Sequence, residues 1–523
     1  MPNPNLPPRP GIPGVPKWLI VIPGVLIVIA GIIYIYGELK PGIRPGKQCV
    51  DCIPYDTLTT HSSCFVRGAS SGECEGWIVR GDEDSSFYVA GTFTTDFRMA
   101  KTATLVSKGG LDVFIAKVSN EGNVLWLQSL GGSGDDIPSD IAIDAKGNPL
   151  VSINFMNSIT VGNATVTGIN GVASGLIVKL RKGDGAPLWN VSAVTQGSNA
   201  KATILDMDIK ENGNILVVGT MGNAAVRFSS VSGASVTLQT QAAGAYLCEY
   251  NPDGNVNRVN KFAEGDISDT HLCADRSSER IAVDFNFNNR IDFGGTKYGK
   301  VPSRQNIGYA FILPTGSLVP GSCYVNLSTG TAIPGSAQYV GTIVQNQSHQ
   351  FFIAGHFERE ASFGDLTVKS VQINGIVLSV NPVSYKVENI LNINGTVSKM
   401  RDVCIGAQQQ VLFGSSYITS LITENSNGTV EVSYQSSNTN PGTDPANAFI
   451  ANYTADFQKN WVHRCTSAAF TSGESLTWSV GANSRKLAFT GYALDTVSCD
   501  ENLPLVMDTF SPRKDFLMKI VDY

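Results

Sequence analysis

Charged residues are scarce in this chain of 523 residues: they make up 16% of it, and lysine and arginine nowhere form a basic block. The formal net charge is −6. Proteins that bind nucleic acids neutralise phosphates with clustered basic side chains. The composition therefore argues against a nucleic-acid partner.

The chain also lacks the short motifs that announce common enzymes. It has no nucleophile elbow, no H-E-x-x-H, no P-loop, no glycine fingerprint opening a helix and no sialidase-type S-x-D-x-G-x-x-W box. Five histidines are scattered along it, so the sequence suggests no pair in which one group orients a catalytic base. We expect no catalytic residues, no metal and no cofactor.

What the chain has in abundance is short strand-like runs separated by turn residues. One apolar run of about seven residues recurs seven times, as FYVAGTF from Phe87, PLVSINF from Pro149, ILVVGTM from Ile215, RIAVDFNF from Arg280, FFIAGHF from Phe351, VLFGSSY from Val411 and LAFTGYA from Leu487. A second run follows each after a long hairpin, from Asp112, Ser174, Ala245, Tyr309, Ile373, Asn447 and Asp515.

This spacing gives seven repeats of roughly 60–75 residues, which is the size of a propeller blade. A blade cannot bury both faces alone, so it must stack on its neighbours around a central channel. The sequence predicts an all-β protein: a seven-bladed β-propeller of four-stranded antiparallel blades over residues 61–523.

The most regular repeat extends from Phe87 to Val151. It contains D-x-F-I-A-K-x-x-x-x-G-N-x-x-W-x-x-x-x-G-G-S-G-D-D, followed by I-x-x-D-x-x-G-N-x-x-V. This phrase resembles the seven-bladed β-propeller repeat (SBBP-type) of bacterial and viral surface proteins, closely in this repeat and in outline elsewhere. The resemblance implies an architecture and an extracellular location rather than a chemistry.

The last repeat ends without a fourth strand, and the missing strand is predicted at the other end of the chain. SSCFVRGASSGECEGW, ending at Trp77, parallels HRCTSAAFTSGESLTW, ending at Trp478. We therefore expect residues 62–67 to pair with residues 516–521 and to close the ring, which leaves no open sheet edge.

Three segments precede the predicted propeller. Residues 1–17 contain seven prolines and are expected to form an extended, proline-rich tail. Residues 18–36 are nineteen uncharged residues with Trp18, Tyr34 and Tyr36 at the ends, which predicts one transmembrane helix as the contact with a lipid bilayer. A cleaved signal peptide is the alternative. Residues 37–60 form a stalk.

The flanking charges slightly disfavour export, because Lys40, Arg44 and Lys47 follow the span while Arg9 and Lys17 precede it. Ten cysteines and seven N-x-S/T sequons favour export. We expect a single-pass membrane protein with the propeller extracellular, lumenal or on a virion exterior. The glycosylation candidates are Asn163, Asn190, Asn326, Asn346, Asn394, Asn427 and Asn452.

The stalk carries Cys49-x-x-Cys52, with Cys64 and Cys74 further along. Zinc or redox chemistry is one interpretation of this spacing. Outside a reducing cytosol, disulfides that tie the stalk to the propeller are favoured. The expected bridge joins Cys499 to Cys49 or Cys52, while the other pairings stay open.

Alignment of the repeats on the glycine of the first run gives two polar columns. Nine residues before it stand several Asp and Asn at hairpin starts, which indicates turn formation. Thirteen residues before it, at the start of the innermost strand, the column contains Asp140, Asp206, His271 and Asp402. These residues are predicted to line one mouth of the channel, either as a cation or sugar site or as a solvated rim.

Three functions remain open. The first is a membrane-anchored propeller for attachment, contacting a protein or glycan through a propeller face without catalysis. The second is a hydrolase acting on glycans, with Asp140, Asp206 and Asp402 as acid and base. The third is a structural membrane protein of a virus particle.

Overall fold

The computed structural model describes residues 53–55, 63–70, 72–99, 102–198, 200–299, 305–326, 339–394, 399–406, 409–417, 420–424, 430–435, 447–467, 471–481, 484–493, 497–499, 503–505 and 515–522. Every regular element in these residues is a β-strand. The all-β prediction is therefore confirmed. The predicted tail at 1–17 and transmembrane span at 18–36 lie outside the described residues, as does most of the stalk.

By their antiparallel pairing, the described strands group into four-stranded units, numbered here 1 to 7 in chain order. The four strands of the first three units are Cys74–Gly81, Phe87–Phe93, Asp112–Val118 and Val124–Gly132; Asp136–Ile143, Pro149–Phe155, Ser174–Leu180 and Pro187–Thr195; and Ala202–Ile209, Ile215–Met221, Gly244–Tyr250 and the first half of Val256–Ala274.

The remaining units follow the same order. Their strands are the second half of Val256–Ala274, Ile281–Phe293, Gln305–Ile312 and Tyr324–Asn326; Tyr339–Gln345, Phe351–Phe363, Leu366–Val380 and Val387–Asn394; Lys399–Ile405, Val411–Tyr417, Asn447–Tyr453 and Lys459–Ser467; and Thr471–Gly481, Ser484–Ala493, Asp515–Asp522 and Ser63–Ser70.

The fourth strand of unit 7 is supplied by the amino-terminal part of the chain. Ser63–Ser70 pairs antiparallel with Asp515–Asp522, with Ser63 opposite Val521 and Gly68 opposite Phe516. The predicted pairing of residues 62–67 with 516–521 is thus confirmed, with the first paired residue at 63. A short strand, Ile53–Tyr55, adds to its other edge.

A glycine in the second strand lets two backbones approach closely in several units. A Cβ on Gly91 would lie 2.0 Å from the carbonyl oxygen of Glu75, and one on Gly219 would lie 1.8 Å from that of Thr203. No real side chain tolerates such a contact. This requirement explains why the same glycine recurs in the sequence.

Each unit also reaches back to the unit before it. The hairpin between its second and third strands pairs with, or lies against, the preceding fourth strand. Thus Ser158–Val161 of unit 2 pairs with Val124–Gly132 of unit 1. The short hairpin strands are Asp96–Met99, Leu105–Val106, Ser158–Val161, Ala164–Thr167, Val226–Ser229, Ser235–Leu238, Thr296–Tyr298, Ser420–Glu424, Val430–Gln435, Val497–Cys499 and Leu503–Leu505.

The apolar core lies between units rather than within them. One cluster joins Tyr88 and Ile115 of unit 1 to Val151 and Leu176 of unit 2. Equivalent clusters join units 2 and 3, 3 and 4, 4 and 5, and 5 and 6. Another joins unit 1 to Ala488 and Ile520 of unit 7. Stacking is therefore the main apolar stabilisation, as expected for repeats whose faces are buried only by neighbours.

The first strands of neighbouring units touch in succession. Cys74–Gly81 contacts Asp136–Ile143, and the contacts continue through units 3 to 6 as far as Thr471–Gly481, which contacts Cys74–Gly81 again. The fold is a repeat with a β-propeller-like arrangement.

Within the described part of the chain, no helix is long and apolar enough to cross a membrane.

Candidate functional site

A β-bulge near the start of every first strand positions the candidate site. In each of the seven units one residue is skipped in the pairing with the second strand, as between Gly76 and Ile78 in unit 1. Bulges of this kind re-aim the next side chain and occur often beside functional sites. The residues that follow the bulge are Ile78, Asp140, Asp206, Asp269, Thr342, Asp402 and Ser475.

This register corrects the alignment in two units. The equivalent of Asp140 in unit 4 is Asp269, whereas the sequence alignment placed His271 there. In unit 7, where a spacing of thirteen residues before Gly491 gives Trp478, the equivalent is Ser475. His271 lies two residues beyond Asp269, and alternate residues of a strand share a face. Despite the misalignment, His271 therefore lies on the face of the strand that lines the cavity.

The predicted residues come together. Asp140, Asp206, His271 and Asp402 all line one cavity of about 280 Å³ beside the first strands. Its wall also contains Trp77, Ile78, Arg80, Ile137, Pro138, Ser139, Asn154, Leu205, Asp269, Tyr339, Gly341 and Thr342. The four predicted residues come from four different units and meet where the column analysis placed them, in a wall to which units 1 to 6 all contribute.

The sequence analysis missed Arg80, which bridges the cavity. Its guanidinium lies 2.8 Å from Asp140 Oδ1 and 3.5 Å from Asp402 Oδ2, so it joins units 1, 2 and 6. Burial disfavours its charge, but the carboxylates of Asp140, Asp402 and Asp206 outweigh that effect and raise the pKa of Arg80. Arg80 lies two residues after Ile78 in unit 1, so a search of the second position on the same face would have found it.

Arg80 also lies between two cavities. A second cavity of about 270 Å³ shares Arg80, Asp140, Asp206 and Asp402 with the first and continues towards the ends of the first strands, where it reaches Cys273. We call the group of Arg80, Asp140 and Asp402 the cross-bar. It spans the interior at the level where the two cavities meet.

Two of the aspartates are also bonded to backbone amides of the next unit. Asp140 accepts a hydrogen bond from the Met207 amide at 3.2 Å, and Asp206 accepts one from the Leu272 amide at 2.8 Å. A first strand has an unpaired edge, and buried amides on such an edge need acceptors. Burial, followed by repulsion from Asp140, raises the pKa of Asp206 well above its ordinary value.

His271 is held as a cation. Its Nδ1 lies 2.8 Å from Asp284 Oδ1, and its Nε2 lies 3.8 Å from Asp269 Oδ1. Burial opposes the charge, but Asp284 and Asp269 raise the pKa of His271 to about 10. An imidazolium paired in this way cannot accept a proton at neutral pH, so His271 does not have the properties of a general base.

The other polar column is structural, as predicted. Asp144 Oδ1 accepts the amides of Lys146 and Asn148 within its turn, at 2.9 and 2.8 Å. Asp275 does the same for Ser277 at 2.9 Å, and Asn346 for Gln350 at 2.9 Å. These bonds are the turn chemistry that short polar side chains supply.

The tryptophan of the fourth strand of unit 1 packs between units 1 and 2. Trp126 Nε1 donates to the carbonyl oxygen of Lys182 in unit 2 at 3.0 Å. A Cβ on Gly185 would lie 2.7 Å from the same ring, so the turn of unit 2 lies directly over it.

The glycosylation candidates differ in solvent exposure. Asn163 is exposed in a hairpin turn, whereas the side chains of Asn326, Asn346 and Asn452 are buried. Asn190 and Asn394 are half-buried, and Asn427 lies outside the described residues. Glycosylation stays a prediction, and exposure favours Asn163.

Among the disulfide candidates, Cys74 is buried, and Cys64 lies in the strand that completes unit 7. Cys499 lies in the unit 7 hairpin, while Cys49 and Cys52 are outside the described residues. The expected bridge from Cys499 to the stalk is therefore untested. In the described portion of the chain, no three His, Cys, Asp or Glu side chains are grouped so that they could hold a metal ion.

Strand pairing and the inter-unit core place the chain in the class of β-propeller-like repeat proteins. No protein-family model matches it. It is 23% identical over 187 residues to the uncharacterized WD repeat-containing protein L264 of Acanthamoeba polyphaga mimivirus, a match covering 32% of this chain and 13% of that protein.

Two solved structures illustrate the structural comparison. Virginiamycin B lyase from Staphylococcus aureus is 9% identical, with a TM-score of 0.39, and the match covers 88% of this chain and 99% of that chain. Polysaccharide lyase Uly1 is 9% identical, with a TM-score of 0.36, and the match covers 92% and 94%. Scores this low carry no argument about what this chain does.

Proposed function

We propose that the seven units form a seven-bladed β-propeller closed by the strand Ser63–Ser70. The succession of first-strand contacts supports the ring, as do the core clusters between consecutive units and the pairing with Asp515–Asp522. Removing residues 1–58 should then leave a folded protein, whereas removing residues 1–70 should cause aggregation or a much lower melting temperature. Equal melting temperatures would contradict the proposed closure.

The function that the geometry supports best is attachment: a non-catalytic module that contacts a protein or glycan through the loops of a propeller face. The observation that carries it is the set of partners that the cavity aspartates Asp140, Asp206 and Asp402 already have within the protein. Asp140 is committed to Arg80 and to the Met207 amide, and Asp206 to the Leu272 amide. A glycoside hydrolase needs a pair of carboxyl groups that flank the scissile bond, and two of the three candidates, Asp140 and Asp402, are paired with Arg80 instead.

A test for glycoside hydrolysis separates the hydrolase alternative from attachment. Purified protein should bind members of a glycan array, or a protein partner, while releasing no chromophore from a panel of reporter glycosides. Hydrolysis that Asp206→Asn abolishes would replace attachment with catalysis. Asp253→Asn, at an exposed turn position, is the matched control.

We also propose that residues 18–36 anchor the module in a membrane with the propeller on the outer side. The uncharged nineteen-residue run and the exposed sequon at Asn163 support this placement. Protease added to intact cells or particles should release a fragment that begins between about residues 37 and 60. Full protection of the propeller would reverse the orientation.

A structural role in a virus particle is the third candidate. The mimivirus relative favours it, although the match spans only 13% of that protein. Mass spectrometry of purified particles against purified host membranes separates this role from a cellular one.

A further inference from the structure

Two cysteines occupy opposite positions in the strand register at the junction between units 6 and 7. The hairpin strand Val497–Cys499 of unit 7 pairs antiparallel with Lys459–Ser467 of unit 6, in a register that places Cys499 opposite Cys465. Residues directly opposite each other in an antiparallel pair share a face of the sheet. The Cα atoms of such opposite residues are generally about 4.5–5.5 Å apart.

We propose that Cys465 and Cys499 form a disulfide that fastens the unit 7 hairpin to unit 6. A disulfide requires Cα atoms roughly 4.4–6.8 Å apart, and the general spacing of opposite residues in an antiparallel pair falls within that range. The two thiols lose two protons and two electrons, which the disulfide of a glutathione-type or oxidoreductase oxidant accepts as it is reduced to two thiols.

The register singles out this pair. Cys248 lies opposite Val217 and Val259, Cys273 opposite Ala282, and Cys404 opposite Leu412. In the strand pairings that the structure describes, no other register sets two cysteines against each other. The proposal replaces the expected bridge between Cys499 and the stalk, and it depends on neither the proposed ligand nor the membrane placement.

Peptide mapping tests the bond directly. The full chain is equilibrated in a buffer of oxidised and reduced glutathione, blocked with iodoacetamide and digested with trypsin without reduction. Cys465 and Cys499 fall in the separate tryptic peptides 465–485 and 487–513. The expected product is these two peptides joined, in a mass that reduction splits. Alkylation of both cysteines, or a link from Cys499 to Cys49 or Cys52, overturns the proposal.

A mutant cycle provides the second readout. Cys465→Ser, Cys499→Ser and the double variant should each lower the melting temperature by the same few degrees under oxidising conditions, because either change removes the whole cross-link. Under reducing conditions the wild type should fall by a similar amount. Additive losses in the double variant would contradict a shared bond. If a variant does not fold, the wild-type peptide map still decides.

Discussion

Asp136 is a buried carboxyl group whose neutralisation should stabilise the protein at neutral pH. It begins the first strand of unit 2 and is fully shielded from solvent. Its Oδ2 accepts the Gly132 amide at 2.7 Å, while its Oδ1 has no hydrogen-bond partner among the described residues. Burial and the nearby Asp112 and Asp135 outweigh that hydrogen bond and raise the pKa of Asp136 to about 8.

The sign and size of this pH effect follow from the difference between the pKa values of Asp136 in the folded and the unfolded chain. The folded pKa lies above the value of about 3.9 in an unfolded chain, so folding binds a proton and stability falls as pH rises from about 4 to about 8. At pH 7 the loss of unfolding free energy caused by the raised pKa of Asp136 is at most about 4 kcal/mol, from roughly three pKa units at 1.36 kcal/mol each. Asp136→Asn keeps an acceptor for the Gly132 amide and removes this loss of unfolding free energy.

The assay is urea unfolding of the full chain at pH 5, 7 and 8, with Asp253→Asn at an exposed turn as the control. The unfolding free energy of Asp136→Asn should exceed that of the wild type by a margin that grows over this range, while the control should follow the wild type. Parallel pH profiles for wild type and Asp136→Asn would refute the assignment of a raised pKa to Asp136.

The cross-bar, the histidine and the exposed sequon each give a further prediction. Arg80→Met should lower the unfolding free energy by about 3 kcal/mol in urea titrations, because buried carboxylates lose their partner; exposed Arg227→Met should change it little. The imidazole of His271 should titrate near pH 10 by NMR, and its stabilising ion pairing, complete below about pH 6.5, should be lost as pH rises through 10; titration near 6.5 would contradict it. In a secreting eukaryotic host, Asn163→Gln should abolish a glycosidase-sensitive gel shift that buried Asn346→Gln retains.

The sequence predicted the second and third strands of every unit because both strands are nearly continuous apolar runs between turn residues. Phe87–Phe93 and Asp112–Val118 are buried at every position. The closing strand was predictable for a different reason: residues 62–77 repeat the pattern that ends at Trp478, in which a fourth strand is followed by the first strand of the next unit.

The candidate site was predictable in position but not in chemistry. Asp140, Asp206 and Asp402 share one column because the bulge before each of them recurs at the same point of the strand pairing. Arg80 was missed because only the first position on that face of the strand was compared, and its pairing with units 2 and 6 could not be read from a local pattern. Asp269 was missed because the hairpin between the first two strands is longer in unit 4 than in unit 1, so a fixed spacing of thirteen residues does not reach the bulge.

The pairing of Ser63 with Val521 places the closing strand next to the last strand of the chain, but its opposite edge has two further partners. Ile53–Tyr55 runs antiparallel along residues 63–65, and Asp96–Met99 runs antiparallel along residues 68–70. The closing strand is therefore held on both edges, by its own preceding segment at one end and by unit 1 at the other. Removal of residues 1–58 would uncover the edge of residues 63–65 while it leaves the pairing with Asp515–Asp522 in place, so this deletion separates protection of the sheet edge from closure of the repeat.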